Sequence, residues 1–247
     1  MKIDPDQYKN IVFFTGAGMS AESGVPTYRG KGGIWGEYDW QQFACQDAFD
    51  RDPDKVLDFH ELRRTKVLAC QPHAGHTCIT DLQSKHSNVS VVTQNTDGMH
   101  QRAGSHGVIE LHGSLWRLRH PDGSVTEDIS AGAYQMRADP QTGQPLRPDI
   151  TWFSDRLNES VIRQAIEVIS AADLLISIGT SGVVWPAASF PEYAVANGAR
   201  LIEINQLSTA LFVPFVPFVP FVPAHFLRGP CLVRLCRRVQ CSATCIK

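Results

Sequence analysis

The residues that could do chemistry in this chain are concentrated between Val91 and Trp116. Gln94, Asn95 and Asp97 follow directly after an apolar, β-branched run that is typical of a strand. In an open parallel α/β sheet, ligands bind just past the carboxyl ends of the strands. The stretch is therefore a candidate ligand site, although polar residues that cap turns would give the same pattern.

A histidine near the end of this stretch is a candidate general base. A second apolar run, 108–111, leads into His112 and Gly113. Imidazole exchanges a proton near neutral pH, so a histidine at a strand end can serve as a base toward a bound substrate. Gly113 is predicted to leave room beside the ring.

Two glycine-containing turns are suited to phosphate groups. They are Gly16-Ala17-Gly18, after the predicted strand 11–15, and Gly179-Thr180-Ser181, after the predicted strand 173–178. Glycine after a strand lets backbone N–H groups approach a pyrophosphate closely. Ser20 is predicted to be the N-cap of the helix that follows the first turn. Tight turns between a strand and a helix need glycine anyway, so neither turn is specific alone.

The loop from 24 to 40 is rich in glycine and is predicted to close over a ligand. It contains four aromatic residues: Tyr28, Trp35, Tyr38 and Trp40. Such residues are unusual in a plain surface connection, which is the alternative interpretation. Arg29 is the residue expected near a phosphate or a ribose.

Strands and helices that alternate along the chain must position these residues. The pattern predicts an α/β fold with a Rossmann-like parallel sheet flanked by helices. Helices are predicted at 53–70, 73–85, 158–171 and 186–197, and a strand at 200–204 that ends in Asn205. His73 and His76, at the start of the second helix, are interpreted as capping or surface residues. The polar, turn-rich region 117–148 is predicted to form a smaller module made by insertions.

The chain after Asn205 does not continue this pattern. Phe-Val-Pro occurs four times between Phe212 and Pro223, and four of the seven cysteines follow. Proline at every third position excludes a helix and a central strand, which predicts polyproline II or disorder. The cysteine spacing is not a standard zinc pattern, and we interpret this end as an aberrant or frame-shifted C-terminus.

Composition narrows the class of protein. The formal net charge of −2 gives no reason to expect binding to nucleic acid or to a charged membrane surface. No apolar run is long enough to span a bilayer, and the N-terminus lacks the pattern of a signal peptide. Reduced cysteines and a cytoplasmic location are therefore expected.

Five segments together resemble the motif set of the sirtuins, the NAD-dependent protein-lysine deacylases. They are GAGMSAESGVPTYRG, TQNTDGMHQRAG, ELHGSLW, RPDITWF and GTSGVVWPAA, in the family's order and spacing. The resemblance implies a catalytic region over 1–205. Its Rossmann-like core would cover about 8–30, 73–116 and 150–205, and its small module about 31–72 and 117–149. The region 206–247 would be an atypical tail.

The resemblance also implies roles for single residues. His112 would be the general base, Gln94 and Asn95 would contact the nicotinamide ribose, and Asp97 would contact the nicotinamide carboxamide. The remaining NAD contacts would be Gly16, Ala17, Gly18, Ser20, Glu22, Arg29, Gly179, Thr180, Ser181 and Asn205.

Acyl-lysine would enter a channel lined by Trp152 and Phe153. The sirtuins that prefer acidic acyl groups carry Tyr-x-x-Arg, and here His60 and Arg63 occupy those positions. Acetyl is therefore the expected group, with succinyl and malonyl as alternatives. Most sirtuins hold zinc on four cysteines in the region 117–148. This chain has only His120 at the first ligand position, so no structural zinc is predicted.

The implied activity is removal of acyl groups from protein lysines, giving nicotinamide and O-acyl-ADP-ribose. The partner would be an acyl-lysine protein or peptide, without nucleic acid or membrane, and the chain would be a monomer. Two alternatives stay open. The same fold could transfer single ADP-ribose groups or hydrolyse NAD, or the chain could be a degenerate NAD-binding protein without catalysis.

Overall fold

The computed structural model describes residues 3–30, 32–129, 131–206 and 218–220. The strands are β1 (Ile11–Thr15), β2 (Val89–Thr93), β3 (Ile109–Glu110), β4 (Gly113–Arg119), β5 (Val125–Glu127), β6 (Arg147–Ile150), β7 (Leu174–Ile178), β8 (Arg200–Asn205) and β9 (Phe218–Pro220). The helices are α1 (Ala17–Ala21), α2 (Ile34–Glu37), α3 (Trp40–Phe43), α4 (Gln46–Arg51), α5 (Pro53–Leu68), α6 (Ala74–Lys85), α7 (Met99–Arg102), α8 (Glu159–Ser170) and α9 (Phe190–Ala196). Short 3-10 helices cover Pro5–Gln7 and Ala187–Ser189. In the described part of the chain, no helix is long and apolar enough to cross a membrane.

The larger sheet is parallel and has the order β3-β2-β1-β7-β8-β9. All residues of β1 and β7 are buried, as expected for central strands covered by helices on both faces. One face packs on α8 and α9, and the other packs on α6. This confirms the predicted α/β fold with a Rossmann-like parallel sheet. The chain builds the sheet outward from β1 in both directions, and this reversal opens a crevice at the strand ends.

The Phe-Val-Pro repeat contributes a strand, which corrects one prediction. Phe218–Pro220 pairs in parallel with β8, as the outermost strand of the sheet. Polyproline II or disorder is therefore wrong for these three residues. An edge strand accepts proline because a nitrogen without hydrogen need not bond to a neighbour. The rest of the repeat and the cysteine-rich end lie outside the described residues.

A second, antiparallel sheet with the order β5-β4-β6 forms the small module. It begins at Gly113 rather than at about 117, because the buried Leu115 and Trp116 belong to the same hydrophobic cluster as Leu118 and Leu146. The apolar residues of this region pack in a cluster that they share with other segments. The remaining apolar surface comes mainly from α4, α5 and the segment after β6.

Candidate functional site

Side chains at the carboxyl ends of four parallel strands meet in the crevice of the larger sheet. The Asn95 amide nitrogen donates to the Gly16 carbonyl at 3.0 Å. The Gln94 amide nitrogen donates to Thr180 Oγ1 at 2.9 Å, and the Asn205 amide nitrogen donates to the Thr180 carbonyl at 2.7 Å. The structure therefore brings together the residues that follow β1, β2, β7 and β8, which the sequence could only place at separate strand ends.

The glycines of the two turns are required by the contact between the turns themselves. A Cβ atom on Gly16 or Gly18 would lie within 2.9 Å of the Gly179 backbone. Gly179 also has a φ of +62°, in the left-handed region that favours glycine. Backbone packing alone thus explains these glycines, and approach of a phosphate remains a proposal.

His112 is held in one orientation at the end of β3. Its Nδ1 lies 2.9 Å from the Gln94 carbonyl oxygen. A carbonyl only accepts, so Nδ1 carries the proton and Nε2 keeps a free lone pair in the neutral ring. Burial lowers the pKa of His112 below its ordinary value, and the hydrogen bond to Gln94 opposes this shift. The ring is therefore neutral, and able to accept a proton, at physiological pH.

Gly113 is also required by the contact between β4 and β6. Its φ is +76°, and a Cβ atom there would collide with the Asp149 carbonyl. The glycine lets β4 cross close to β6 directly after His112. A hydrogen bond of 2.9 Å from the Thr151 amide to the His112 carbonyl fixes the same crossing.

Asp97 is a buried carboxyl group beside the crevice. Burial raises its pKa, and hydrogen bonds from the Met99 amide and from Ser20 oppose the shift. Ser20 is not the predicted N-cap, because Gly16 occupies that position of α1. Ser20 lies in the helix, buried, and its Oγ also accepts from the Asn95 amide nitrogen at 3.3 Å. Ser20 is thus part of the site because it bonds to Asn95, and not because it caps a helix.

A cavity extends from Asn95 and Asp97 toward α5, and Arg63 forms part of its wall. Arg63 Nη2 donates to the Tyr28 hydroxyl at 2.6 Å, and the Tyr28 hydroxyl lies 3.3 Å from Thr96 Oγ1. Sequence reasoning missed Tyr28 and Thr96 as wall residues. Only their neighbours in the sequence could have pointed to them, because Tyr28 precedes Arg29 and Thr96 lies between Asn95 and Asp97.

The structure places His60, a predicted substrate-binding residue, in a core and not on the wall of the cavity. His60 is fully buried, and its Nε2 accepts from Trp152 Nε1 at 3.3 Å inside the small module. Burial, reinforced by the nearby cations Arg63 and Arg147, lowers its pKa well below the ordinary value. Trp152 is only 4% exposed and packs in the same core. Neither side chain is free to line an open channel in this conformation.

Phe153 remains available as a channel residue. It is 47% exposed, and its ring lies 5.4 Å from Trp35 and 4.7 Å from Trp40. The aromatic residues of the 24–40 loop are therefore anchors for Phe153 and α5. The loop itself contains a short helix, α2.

The other candidate residues lie near the rim of the crevice. Arg29 and Ser181 are exposed, and Glu22 lies 3.8 Å from His73. Ser181 follows the buried Thr180, which bonds to Gln94. These positions are compatible with contact to a ligand that extends beyond the crevice.

The small module is held by an ion pair with α5 and by contacts among its own residues. Buried Arg64 bonds to Asp128 at 2.7 Å, and His120 bonds to Asp139 at 2.7 Å and to Thr126 at 2.8 Å. Within 3–30, 32–129 and 131–206, no three His, Cys, Asp or Glu side chains are arranged to hold a metal ion. The described module is thus held by these polar contacts and by the hydrophobic cluster that it shares with α4 and α5.

His76 is buried, so it is not the capping or surface residue that the sequence suggested. It packs between His73 and His100, with ring centroids 4.5 and 5.0 Å away. Neither of its ring nitrogens has a hydrogen-bond partner among the described residues. His73 does cap α6, by accepting from the Gly75 amide at 2.9 Å.

We expect this histidine cluster to destabilise the fold in acid. Burial, with the neighbouring histidines, lowers the pKa of His76 to about 3 and that of His100 to about 4. Below about pH 6.5 these histidines bind protons in the unfolded chain, whereas in the folded protein they stay neutral. Each histidine therefore lowers the free energy of unfolding by up to about 1.4 kcal/mol for every unit by which the pH decreases. Urea unfolding between pH 7.5 and 4 should show this slope. H76Q should reduce this pH dependence of the free energy of unfolding, whereas H106Q, at an exposed histidine, should leave it unchanged. Equal slopes for the wild type and the two variants would contradict the prediction.

Comparison with known proteins agrees with this geometry. A sequence model of the Sir2 family matches residues 16–186. The chain is 42% identical over 212 residues to the NAD-dependent protein deacylase 2 of Pyrobaculum aerophilum, covering 82% of each chain.

Solved structures agree as well. A Sir2 homologue in complex with NAD has 39% identity and a TM-score of 0.78, covering 86% of this chain and 83% of that chain. A Sir2 protein with a deacetylated p53 peptide and 3′-O-acetyl ADP ribose has 31% identity and a TM-score of 0.72, covering 83% of this chain and 85% of that chain. The crevice, its buried acid and its oriented histidine thus belong to a chain that is a member of the Sir2 family.

Proposed function

We propose that this chain removes acyl groups from protein lysines with NAD as co-substrate, releasing nicotinamide and O-acyl-ADP-ribose. One observation supports this most directly. A neutral, oriented imidazole, His112, is bonded to the backbone of the same segment whose side chains, Asn95 and Asp97, face the crevice of a Sir2-family sheet. A base and a set of polar groups around a crevice are what acyl transfer from a neutral amide requires.

The residues present fit NAD. Asn95 already bonds to the Gly16 turn and to Ser20, so the amide and the two glycine turns form one polar surface. Asp97 and Gln94 would hold the nicotinamide end, and Asn205 the adenosine ribose. The residues that would surround the phosphates and the rest of the cofactor are Gly16, Ala17, Gly18, Ser20, Glu22, Arg29, Gly179, Thr180 and Ser181. Relatives of this chain are named NAD-dependent deacylases, and one solved relative contains NAD.

The proposed chemistry assigns a proton transfer to His112. Bound NAD supplies the ribose carbon that takes the acyl oxygen as nicotinamide leaves. His112 Nε2 then accepts a proton from a ribose hydroxyl, so that the hydroxyl oxygen can attack the acyl carbon. Asn95 and Asp97 orient the ribose and the carboxamide, and the low dielectric around buried Asp97 strengthens those hydrogen bonds.

The acyl-lysine would pass Phe153, whose exposed ring can cover the apolar part of the lysine side chain. Arg63 would lie near the end of the acyl group, because it shares a cavity wall with Asn95 and Asp97. Its Nη2 already donates to the Tyr28 hydroxyl. Acetyl is proposed as the main group, with succinyl or malonyl accepted if Arg63 exchanges Tyr28 for a carboxylate.

Nicotinamide release tests the function and the acyl preference together. We expect release from NAD with acetyl-lysine peptide and none with the same peptide bearing free lysine. If Arg63 binds a carboxylate, R63Q should lower kcat/KM for the succinyl peptide about tenfold or more and change the acetyl value much less. Release without acyl peptide would favour NAD hydrolysis or ADP-ribose transfer. No release from folded protein that binds NAD would favour the degenerate alternative. The monomeric state and the cytoplasmic location stay predictions.

A further inference from the structure

Much of the chain's negative charge lies in one segment that packs on the small module. Between Glu37 and Glu61 there are eight acidic and two basic side chains, whereas the whole chain has a formal net charge of −2. The rest of the sequence is therefore net positive. Such an uneven distribution attracts cationic partners to one face and repels anionic partners from it.

An open cleft lies on this face, and we call it the acidic cleft. It is lined by Tyr38, Phe43, Asp52, Asp54, Lys55, Asp58, Phe59 and Leu62. Three aromatic rings, of Tyr38, Phe43 and Phe59, pack together with centroids 4.9 to 5.5 Å apart. Leu62, beside them, is 40% exposed. The cleft thus combines an apolar, aromatic floor with a rim of carboxylates.

The rim carboxylates are accessible and are only partly neutralised. The side chain of Asp54 is 80% exposed and that of Asp58 is 67% exposed. Arg137 bonds to Asp58 at 2.6 Å and also to Glu61, and lies 3.5 Å from Asp54. One guanidinium therefore faces three carboxylates, so the rim keeps a negative charge.

Lys55 shows that the floor accepts an ammonium group. Its Nζ lies 5.0 Å from the centroid of the Phe43 ring and donates to Gln42 Oε1 at 3.1 Å. A cation over an aromatic face is attracted by the negative face of the ring. A second cation, from a partner, would find the same rings together with the unpaired charge of the rim.

The acidic cleft is continuous with the site described above. Tyr38, Phe59 and Leu62 also line the cavity that contains Asn95 and Arg63. The ring of Trp35 lies 6.2 Å from Phe59 and 5.4 Å from Phe153, so a row of aromatic residues in contact connects the cleft to the proposed channel. A polypeptide that places its acyl-lysine at Phe153 can therefore reach the cleft with neighbouring residues.

We propose that the acidic cleft binds lysine or arginine side chains that flank the acyl-lysine of the protein substrate. This inference rests on the proposed function, and it specifies the substrate class as acylated segments rich in basic residues. Acylation removes the charge of one lysine only. Its basic neighbours keep theirs and match the rim.

Direct binding tests this inference without turnover. Three fluorescein-labelled acetyl-lysine peptides would differ only in flanking residues, which are Arg, Gln or Glu, and their Kd values would be measured by anisotropy. We expect the Arg peptide to bind about three- to tenfold more tightly than the Glu peptide at low salt, with the difference shrinking as salt is raised. D54N/D58N should bring the two Kd values together, and K55Q should separate them further. D81N removes an exposed carboxylate of α6 that does not line the cleft, and it should leave the ratio unchanged.

The opposite signs expected for D54N/D58N and K55Q exclude simple unfolding as the cause. Equal Kd values for the Arg and Glu peptides, or a ratio that D54N/D58N does not change, would overturn the inference. Dimers that dissociate in D54N/D58N, at unchanged peptide Kd, would assign the face to a second copy. Nicotinamide release on the same peptides reports separately whether the proposed function holds.

Discussion

Replacing His112 by Ala should lower kcat for nicotinamide release in the presence of acetyl-lysine peptide by about 10²- to 10⁴-fold. The imidazole is oriented by the Gln94 carbonyl, so its Nε2 is the atom available as a base, and alanine offers no substitute. NAD binding should change little, because His112 acts on a bound ribose hydroxyl rather than on the phosphates. Steady-state kinetics and titration with NAD measure the two quantities separately.

The matched control is His106→Ala, which removes an exposed histidine six residues earlier in the chain. We expect its kcat to stay within about twofold of the wild type. A His112→Ala protein that keeps kcat within tenfold of the wild type, while remaining folded, would remove His112 from the proposed chemistry.

The pH profile gives a second readout for His112. The base must be neutral, and burial lowers its pKa below the ordinary value of 6.5. The midpoint at which kcat/KM decreases on the acid side should therefore lie below pH 6.5. This decrease should be absent in the residual activity of His112→Ala. A limb well above pH 7 would contradict the burial-based direction of this shift.

The larger sheet could be predicted because its central strands can each be recognised from their own short sequence. Residues 11–15, 89–93 and 174–178 are short, continuous apolar runs, as expected for parallel strands covered on both faces. Each is followed by glycine or polar residues, so the crevice could be located before any contact was known. What the sequence could not give was the contact between turns that makes the glycines necessary.

The burial of His60 shows why matching a motif does not establish a contact. On α5, residues four apart share a face, so Phe59 and Arg63 lie together, and His60 and Arg64 lie together. The first pair faces the cavity and the second faces the core of the small module. Residues three apart on a helix are also neighbours, so periodicity keeps His60 close to Arg63 and does not say which of the two is buried. That depends on the second sheet, whose strands are short and polar.

Arg64 is the residue whose importance was least visible in the sequence. A charged side chain in a helix is usually exposed, yet Arg64 is fully buried and its ion-pair partner, Asp128, lies on the segment after β5. Arg64 also donates to the carbonyls of Leu115 and Ala131, and its guanidinium lies 4.3 Å from the centroid of the Tyr134 ring. One side chain therefore joins α5 to β4 and to the segment after β5.

We expect Arg64→Met to lower the free energy of unfolding by about 3–5 kcal/mol. Methionine fills a similar volume, but it leaves the Asp128 carboxylate buried, with 5% side-chain exposure, and without its cation. Asp128→Asn should also destabilise, because the guanidinium then loses its counter-charge. Urea unfolding followed by far-UV circular dichroism measures both changes. Asp58→Asn breaks an exposed pair with Arg137 and should cost less than about 1 kcal/mol.

The double variant Arg64→Met, Asp128→Asn separates the charge effect from a packing effect. If the cost of each single change comes from a buried charge without its partner, the double variant should be less destabilised than the two single costs added together, since no unpaired charge remains. Strict additivity would mean that Arg64 stabilises the module through packing and through the Leu115 and Ala131 carbonyls. Because β4 begins directly after His112, a loosened module should also lower kcat in Arg64→Met at temperatures well below unfolding, and recovery of kcat in the double variant would tie the ion pair to the placement of the base.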